Sequence, residues 1–463
     1  MRIYFDSNIF RKIRKDSRQF DLGLHAVVEH LRSAFVFLFS DAHLSDLSGS
    51  QAGYREIDLL HMGEYVGQNY LSFDHVHKQL HIYLATPLQA YGNKDFVTFD
   101  KVLQDPLGYL EAFFDQPETS MFKPLIRSIF DGPLVSGLQD NPELLKLIGT
   151  QAASGLQEVS TIREALARTG PLSDLLNSKN EFFKYQDLVR GMVPREEYSF
   201  DAWSFEFDER MRDTAFGKSF SELVEVMNSA GDKKDTFNRF VNYYCMLETV
   251  GVTQERAGGK RKKNSYMDIY RDAQHAYFAS NADYFVSDDK GVLTKAFIAY
   301  KMLEVKTEVL SSAELMVKSR SLLLNEDNLD SFLQGLDFSL ESGFVLHSNL
   351  PGDQQVIKLP YRVMNYFNRL QLERSQDGTY LLLFRTGDDE KGVMYSEMDL
   401  LLDKCVRLFG LPADGRQRLD IGDYEQASEE VKTREWQLGR CRIFLGFGTS
   451  NHGKQVIYLQ ICL

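Results

Sequence analysis

The chain has 463 residues, 43% of them hydrophobic, with 33 Phe, 22 Tyr and only 11 Pro, which excludes a disordered chain and points to two or three domains with sizeable cores. Its 53 Lys and Arg are outnumbered by 66 Asp and Glu, which excludes a general polyanion binder, although a local basic patch can still grip phosphate. The four cysteines form no C-x-x-C pair and no uncharged stretch reaches bilayer length, so a disulfide framework, a cysteine zinc site and a membrane partner are not expected, and the protein is expected to be cytoplasmic.

"MRIYFDSNIF" opens with a short apolar strand, Ile3-Tyr4-Phe5, that stops at Asp6-Ser7-Asn8. "FDLGLHAVVEHLRSA" has helical spacing, "FVFLFS" (35–40) reads as a second strand, and Ser40 is placed as the N-cap of a helix in "SDAHLSDLSG". Residues 52–70 read as helix and 74–100 as mixed. From 101 to 234, stretches such as "NPELLKLIGTQAASGLQEVSTIREALART" are helical by period without strand alternation, which predicts a helical insertion or cap. An amphipathic helix (235–252) is followed by the basic loop "AGGKRKKN" (257–264), and the helix "SYMDIYRDAQHAYFASN" leads into Tyr284-Phe285-Val286, which ends on Asp288-Asp289. "LTKAFIAYKML" reads as a helix and "VKTEVLSS" as a strand. This alternation predicts an α/β fold: a parallel sheet between helices, built from 1–100 and 235–318 and interrupted by the insertion. From 319 to 463, "GFVLHS", "QQVIKLP", "LQLER", "TYLLLFRTG", "RCRIFLGFG" and "QVIYLQICL" read as strands around one helix, "SEMDLLLDKCVRLFG", predicting a separate α+β domain of antiparallel hairpins.

Sites in parallel α/β sheets collect at the carboxyl ends of strands. Asp6 ends the first strand, Asp41 and Asp46 follow the second, and Asp288-Asp289 end the strand at 284–286. Asp268, Asp272 and His275 share one face of the preceding helix at i, i+4, i+7. Convergent carboxylates repel one another unless a cation relieves them, and an all-oxygen set suits Mg²⁺ or Mn²⁺. Taken singly, an Asp after a strand is more often a turn former or a helix cap, Asp268 or Asp272 alone is more often a solvated side chain, and Asp283 is read as capping the turn into its strand.

Three segments in order carry a resemblance. "YFDSNIF" resembles the D-[ST]-N opening of PIN domains, "YRDAQHAYFASNADYFVSDDKGV" resembles their third-acid helix and following strand end, and "FSDAHLSDL" is similar to a segment of large bacterial PIN-like proteins. The resemblance covers residues 1–100 and 235–315 and leaves out the insertion and the C-terminal domain. It implies a PIN-like fold and a metal-dependent nuclease, chiefly an endoribonuclease, with Asp6, Asp46, Asp272 and Asp289 as catalytic metal ligands; the neighbouring Asp288, which the resemblance leaves unassigned, is a candidate to substitute for or add a ligand. Asp46 stands where the family usually has Glu, one methylene longer. Ser7, Asn8 and Ser287 are expected to order the acids, with His43 and His275 in support. The implied chemistry is Mg²⁺- or Mn²⁺-assisted hydrolysis of a phosphodiester, leaving 5′-phosphate and 3′-hydroxyl ends.

Lys260, Arg261, Lys262 and Lys263 precede the helix of Asp272 and read either as a grip on the nucleic-acid backbone or as a solvated loop. Two other readings stay open: a catalytically weak PIN-fold scaffold that binds RNA or a protein partner, and the same site acting on DNA. A second copy of the chain or a regulatory partner is a candidate for the C-terminal domain. Two motifs are set aside. Gly448 and Gly453-Lys454 are spaced like a phosphate loop, but Gln455 replaces the required Ser or Thr and a terminal strand follows, so a hairpin turn is expected. His75, His77 and His81 lack a fourth zinc ligand and read as chance clustering.

Overall fold

Strand β1 (Arg2–Phe5) is buried along its whole length, and its alternating side chains feed two different cores. Ile3 and Phe5 point to one, Tyr4 to the other. The computed structural model describes residues 2–75, 77–94, 178–180, 183, 186, 205–214, 217–228, 235–251, 256–257, 260–261, 264–323, 328–349, 353–376, 378–386, 391–419, 431–449 and 455–463. Most of the expected helical insertion at 101–234 lies outside them.

After β1 come α1 (Ser7–Ile13), α2 (Leu22–Leu31), β2 (Val36–Ser40), α3 (Asp41–Ser48), α4 (Ala52–Val66), β3 (Asn69–Asp74), β4 (Gln79–Leu84) and α5 (Pro87–Gly92). The helical reading of 52–70 runs too far. Gly67, at φ +57°, ends α4 in a conformation other residues adopt reluctantly, and β3 begins two residues later. The stretch read as mixed pairs β4 antiparallel to β3. The chain continues through α6 (Phe207–Arg210), a 3₁₀ turn (Met211–Asp213), α7 (Phe220–Asn228), α8 (Thr236–Thr249), the two-residue strands β5 (Arg256–Ala257) and β6 (Lys260–Arg261), α9 (Tyr266–Ala279), β7 (Tyr284–Val286), α10 (Lys290–Met302), β8 (Glu308–Leu310) and α11 (Ser312–Leu323).

The first large sheet has the order β4-β3-β2-β1-β7-β8 and is parallel except for the β3–β4 pair. Tyr4 and Phe285 face a core built with α8, α9 and α10, while Ile3, Phe5, Tyr284 and Val286 face one built with α1, α2, α4 and α11. Both faces are therefore covered, which is why these strands read as continuous apolar runs. From β1 the chain proceeds outward to β2 and β3, and later returns to place β7 on the other flank of β1. That reversal makes the carboxyl ends of β1 and β7 the topological switch point, where an open α/β sheet leaves a crevice.

The second unit comprises α12 (Leu329–Ser342), β9 (Phe344–Ser348), β10 (Gln354–Val363), β11 (Phe367–Ser375), β12 (Gly378–Phe384), α13 (Lys391–Phe409), β13 (Val431–Leu438), β14 (Cys441–Thr449) and β15 (Gln455–Cys462). Its seven strands pair antiparallel throughout, in the order β13-β14-β15-β12-β11-β10-β9. Sequence periodicity misses β13, whose "VKTREWQL" interleaves charges with the buried Trp436 and Arg434. Strands β14 and β15 pair up to Thr449 and Gln455, as a hairpin requires; the intervening Gly453-Lys454 lies outside the described residues.

Helix α13 packs between the two sheets. Met398, Leu401, Leu402 and Cys405 join the core of the antiparallel unit, while Leu400 packs on the core beneath β1 and β2. Ser396 Oγ donates to Asn69 Oδ1 at 2.5 Å, and the buried Lys404 ammonium donates to the Met364 carbonyl at 2.6 Å and the Ala34 carbonyl at 3.3 Å. Among the described residues no helix is long and apolar enough to cross a membrane.

Candidate functional site

Asp6 leaves β1 at the switch point and its amide donates to the Val286 carbonyl at 2.9 Å, so the ends of β1 and β7 are tied together. Asp6 Oδ2 accepts from Ser287 Oγ at 2.6 Å and from Asn8 Nδ2 at 2.7 Å. Ser7 turns the other way and donates to Asp46 Oδ2 at 2.6 Å. The Asp-Ser-Asn run thus supplies one acid, one group that holds it and one group that holds a second acid. Ser40 caps α3, as its sequence position predicts, and α3 packs against α9. That packing brings Asp46 of α3 to His275 of α9, whose Nε2 lies 2.9 Å from Asp46 Oδ2.

Among the described residues, Asp6, Asp46 and His275 form a group whose ligand atoms all lie within 4.8 Å of one another. Beneath it is a buried polar network. Tyr4 Oη contacts Ser40 Oγ at 2.6 Å, His275 Nδ1 at 2.9 Å and His43 Nδ1 at 3.3 Å. The Ser40 amide can only donate, so His43 Nδ1 accepts from it at 3.1 Å, and Nε2 carries the proton given to the Phe5 carbonyl at 2.7 Å.

Charge is distributed unequally across this network. Burial pushes the Asp6 carboxyl up, partly countered by His275 and the Ser287 hydrogen bond. Burial acts in the same sense on Asp46, but the charge and hydrogen bond of His275, with the bond from Ser7, outweigh it and bring Asp46 down to about 2. For His275 burial opposes protonation, yet Asp46 raises it above its ordinary value, with Asp6 and Asp272 adding to the effect. His43 is pushed down to about 3 by burial and by the charge on His275. The 2.9 Å contact between Asp46 and His275 thus favours the charged form of each, beside an Asp6 carboxyl that burial makes harder to ionise.

The remaining expected residues separate. Asp272 lies half-buried on α9, near enough to raise His275, but outside the 4.8 Å group. Asp289 also lies outside it; its carboxylate caps α10, accepting from the amides of Gly291 at 2.8 Å and Val292 at 3.2 Å. Asp288 is turned away, bound by Lys12 Nζ at 2.6 Å and by the amide and hydroxyl of Ser312. Asp268 closes a capping box with Ser265, and Asp41 accepts from Tyr70, Ser72 and Lys94. Asp283 accepts from the Arg2 amide and from Arg362 and Arg385 rather than only capping a turn. Lys260 and Arg261 contribute backbone to the β5–β6 pair, while Lys262 and Lys263 lie outside the described residues. His77 bonds Asp74 at 2.7 Å on the exposed β3–β4 hairpin.

Sequence reasoning understated His275, treated as a supporting residue although it is the third member of the group, and missed Tyr4 and Ser40 as its base. The placement of Asp272 and His275 three apart on one helical face was the signal available for His275.

Two carboxylates and one imidazole form a mixed oxygen–nitrogen donor set; imidazole suits zinc, copper, iron and nickel and carboxylate suits magnesium, calcium and manganese, so the donor types alone select no one metal. Asn8 Oδ1, buried beside Asp6 without a hydrogen bond, adds a neutral oxygen next to the group. No protein-family model, curated protein or solved structure matches this chain.

Proposed function

We propose that this chain is a PIN-like, metal-dependent nuclease acting on RNA, with Asp6, Asp46 and His275 as the residues that would hold the cation. One observation carries the reading: two carboxylates and an imidazole from β1, α3 and α9 meet within 4.8 Å at the switch point of a parallel sheet. When bound, a divalent cation supplies Lewis acidity at the scissile phosphate. Ser287 and Asn8 hold Asp6, Ser7 holds Asp46, and Tyr4 fixes the imidazole from behind, so that a cation would take the place of the proton between His275 Nε2 and Asp46 Oδ2. Asp272 and Asp289 flank this centre, where they orient substrate or a second cation.

The test incubates purified chain with Mn²⁺ or Mg²⁺ and labelled RNA, single-stranded DNA or duplex DNA, beside Asp6→Asn and Asp46→Asn variants. Metal-dependent cleavage of RNA that both substitutions abolish is expected. Cleavage that survives both, or none with any substrate, sinks the reading; cleavage confined to DNA changes the substrate. The capping role of Asp289 and the Lys12–Asp288 pair favour a second reading, a scaffold that binds RNA without cutting it. Metal-independent binding without turnover is its signature.

A further inference from the structure

Strand β7 has only three residues, Tyr284, Phe285 and Val286, all apolar and all buried. A two-residue slip against β1 would keep every side chain on its own face but draw Ala282-Asp283 or Ser287-Asp288 into the buried slots, so the register depends on what binds the flanking acids. At about 3.3 Å per residue, such a slip would carry Ser287 roughly 6–7 Å from Asp6 and break the 2.6 Å bond between them.

The pin is at the opposite end of the sheet. Asp283 precedes β7, and its amide donates to the Arg2 carbonyl at 2.9 Å while its Oδ2 accepts the Arg2 amide at 2.7 Å. Its carbonyl accepts from the Glu308 amide at 3.0 Å, setting β8 as well. Its other carboxylate oxygen goes to the antiparallel unit, to Arg362 of β10 and to Arg385 Nη2 at 3.4 Å. The Arg2 guanidinium binds Glu397 of α13 through Nε at 2.8 Å and Nη2 at 3.0 Å, and Arg385 closes the circuit at 3.3 Å from Glu397. Arg2 is 3% and Glu397 1% exposed. Charges so buried add little stability over an apolar contact, but they fit one alignment only, and losing one partner leaves the others uncompensated.

We infer that Asp283, clamped by Arg362 and Arg385 of the antiparallel unit, is a positioning residue that fixes the register of β7 and so places Ser287 and Asp289 beside Asp6. The antiparallel unit then acts on the acid group from the amino ends of β1 and β7, the opposite end of the sheet from the acids. Describing that group as catalytic rests on the nuclease reading; the register claim does not.

Amide hydrogen exchange of the full chain in EDTA, read by mass spectrometry, tests the register directly. Asp283→Asn, Arg362→Gln and Arg362→Lys are compared with wild type. Asp283→Asn is expected to speed exchange about tenfold or more in peptides holding the Asp6 and Ser287 amides, which bond Val286 and Leu310, while peptides of β2 and of β14–β15 keep wild-type protection. Arg362→Gln, at a side chain 32% exposed, is expected to act in the same sense more weakly, with Arg362→Lys nearer wild type. Should Asp283→Asn not fold, the two Arg362 variants decide. Unchanged exchange at Asp6 and Ser287, or an acceleration shared equally by all peptides, overturns the proposal. Neither metal nor substrate is present, so a chain that cleaves nothing leaves the exchange result standing.

Discussion

His43 and His275 meet edge to face with ring centroids 4.8 Å apart, yet the two rings have opposite preferences for a proton. His275 faces the Asp46 carboxylate and is raised above 6.5; His43 is buried against the Phe5 carbonyl and falls to about 3. The stabilising effect of His275 is full below pH 6.5, the unfolded value, and fades as pH rises through its folded value. His43 works in the opposite direction: the neutral ring is favoured above 6.5, and stability falls as pH drops from there toward 3. In EDTA, denaturant unfolding of His275→Gln is expected to show a deficit of about 1.5–3 kcal/mol near pH 5 that shrinks at higher pH. His43→Gln is expected to remove a slope of about 1.4 kcal/mol per pH unit from the acid limb. A deficit in His275→Gln that grows with pH would contradict the ion pair.

Asp6 gives a prediction with two signs. Its burial disfavours the charged carboxyl, while an amide oxygen can still accept from Ser287 and Asn8. Asp6→Asn is expected to leave the metal-free fold as stable as wild type or up to about 1 kcal/mol more stable, while abolishing Mn²⁺-dependent cleavage. Stability lost together with activity would make Asp6 a structural acid. Thermal unfolding and cleavage of the same preparations distinguish the outcomes.

Asp289 combines a cap and a charge, and two substitutions separate them. Asparagine caps as well as aspartate, so Asp289→Asn is expected to change stability by less than about 0.5 kcal/mol, while Asp289→Ala costs about 1 kcal/mol by exposing the Gly291 and Val292 amides. Lower cleavage in Asp289→Asn at unchanged stability assigns the charge to the reaction. Equal cleavage in Asp289→Asn and wild type assigns Asp289 to the helix alone.

The alternation of apolar runs and helical periods made the parallel sheet and its acid-bearing strand ends legible, because a sheet covered on both faces leaves no polar positions to confuse the pattern. Strand β3 was lost into α4 because "EYVGQNYL" continues the apolar spacing and only the positive φ of Gly67 marks the break. Strand β13 was hidden by its charges. Within the site, Asp6 is legible as an acid at a strand end, while the roles of Ser7, Asn8, Asp46 and Ser287 rest on the resemblance to PIN domains. His275 and Tyr4 were harder to place, since their meeting depends on α9 crossing α3 and on a strand residue pointing inward. That Asp288 and Asp289 differ in role is legible, since only Asp289 matches the fourth acid of the resemblance, but the anchoring of Asp288 is not. It is decided by Lys12 and Ser312, remote in sequence from both.

Glu397 offers a test of how far the two units depend on each other. Its carboxylate is buried, which raises its pKa, but Arg2 and Arg385 more than reverse the effect, and Asp283 is held well below the usual carboxylate range by the same reversal from Arg385 and Arg362. Both acids therefore favour the folded state above their unfolded values near pH 4, and that contribution is lost as pH falls through the folded values. Glu397→Gln leaves the Arg2 guanidinium buried beside a neutral amide, and a loss of about 3–5 kcal/mol is expected at pH 7. The same variant is expected to show a flatter decline in melting temperature below pH 4 than wild type, since one of the two acids responsible has been removed. Wild-type stability at pH 7 combined with an unchanged acid limb would show that Glu397 contributes nothing to holding α13 against β1.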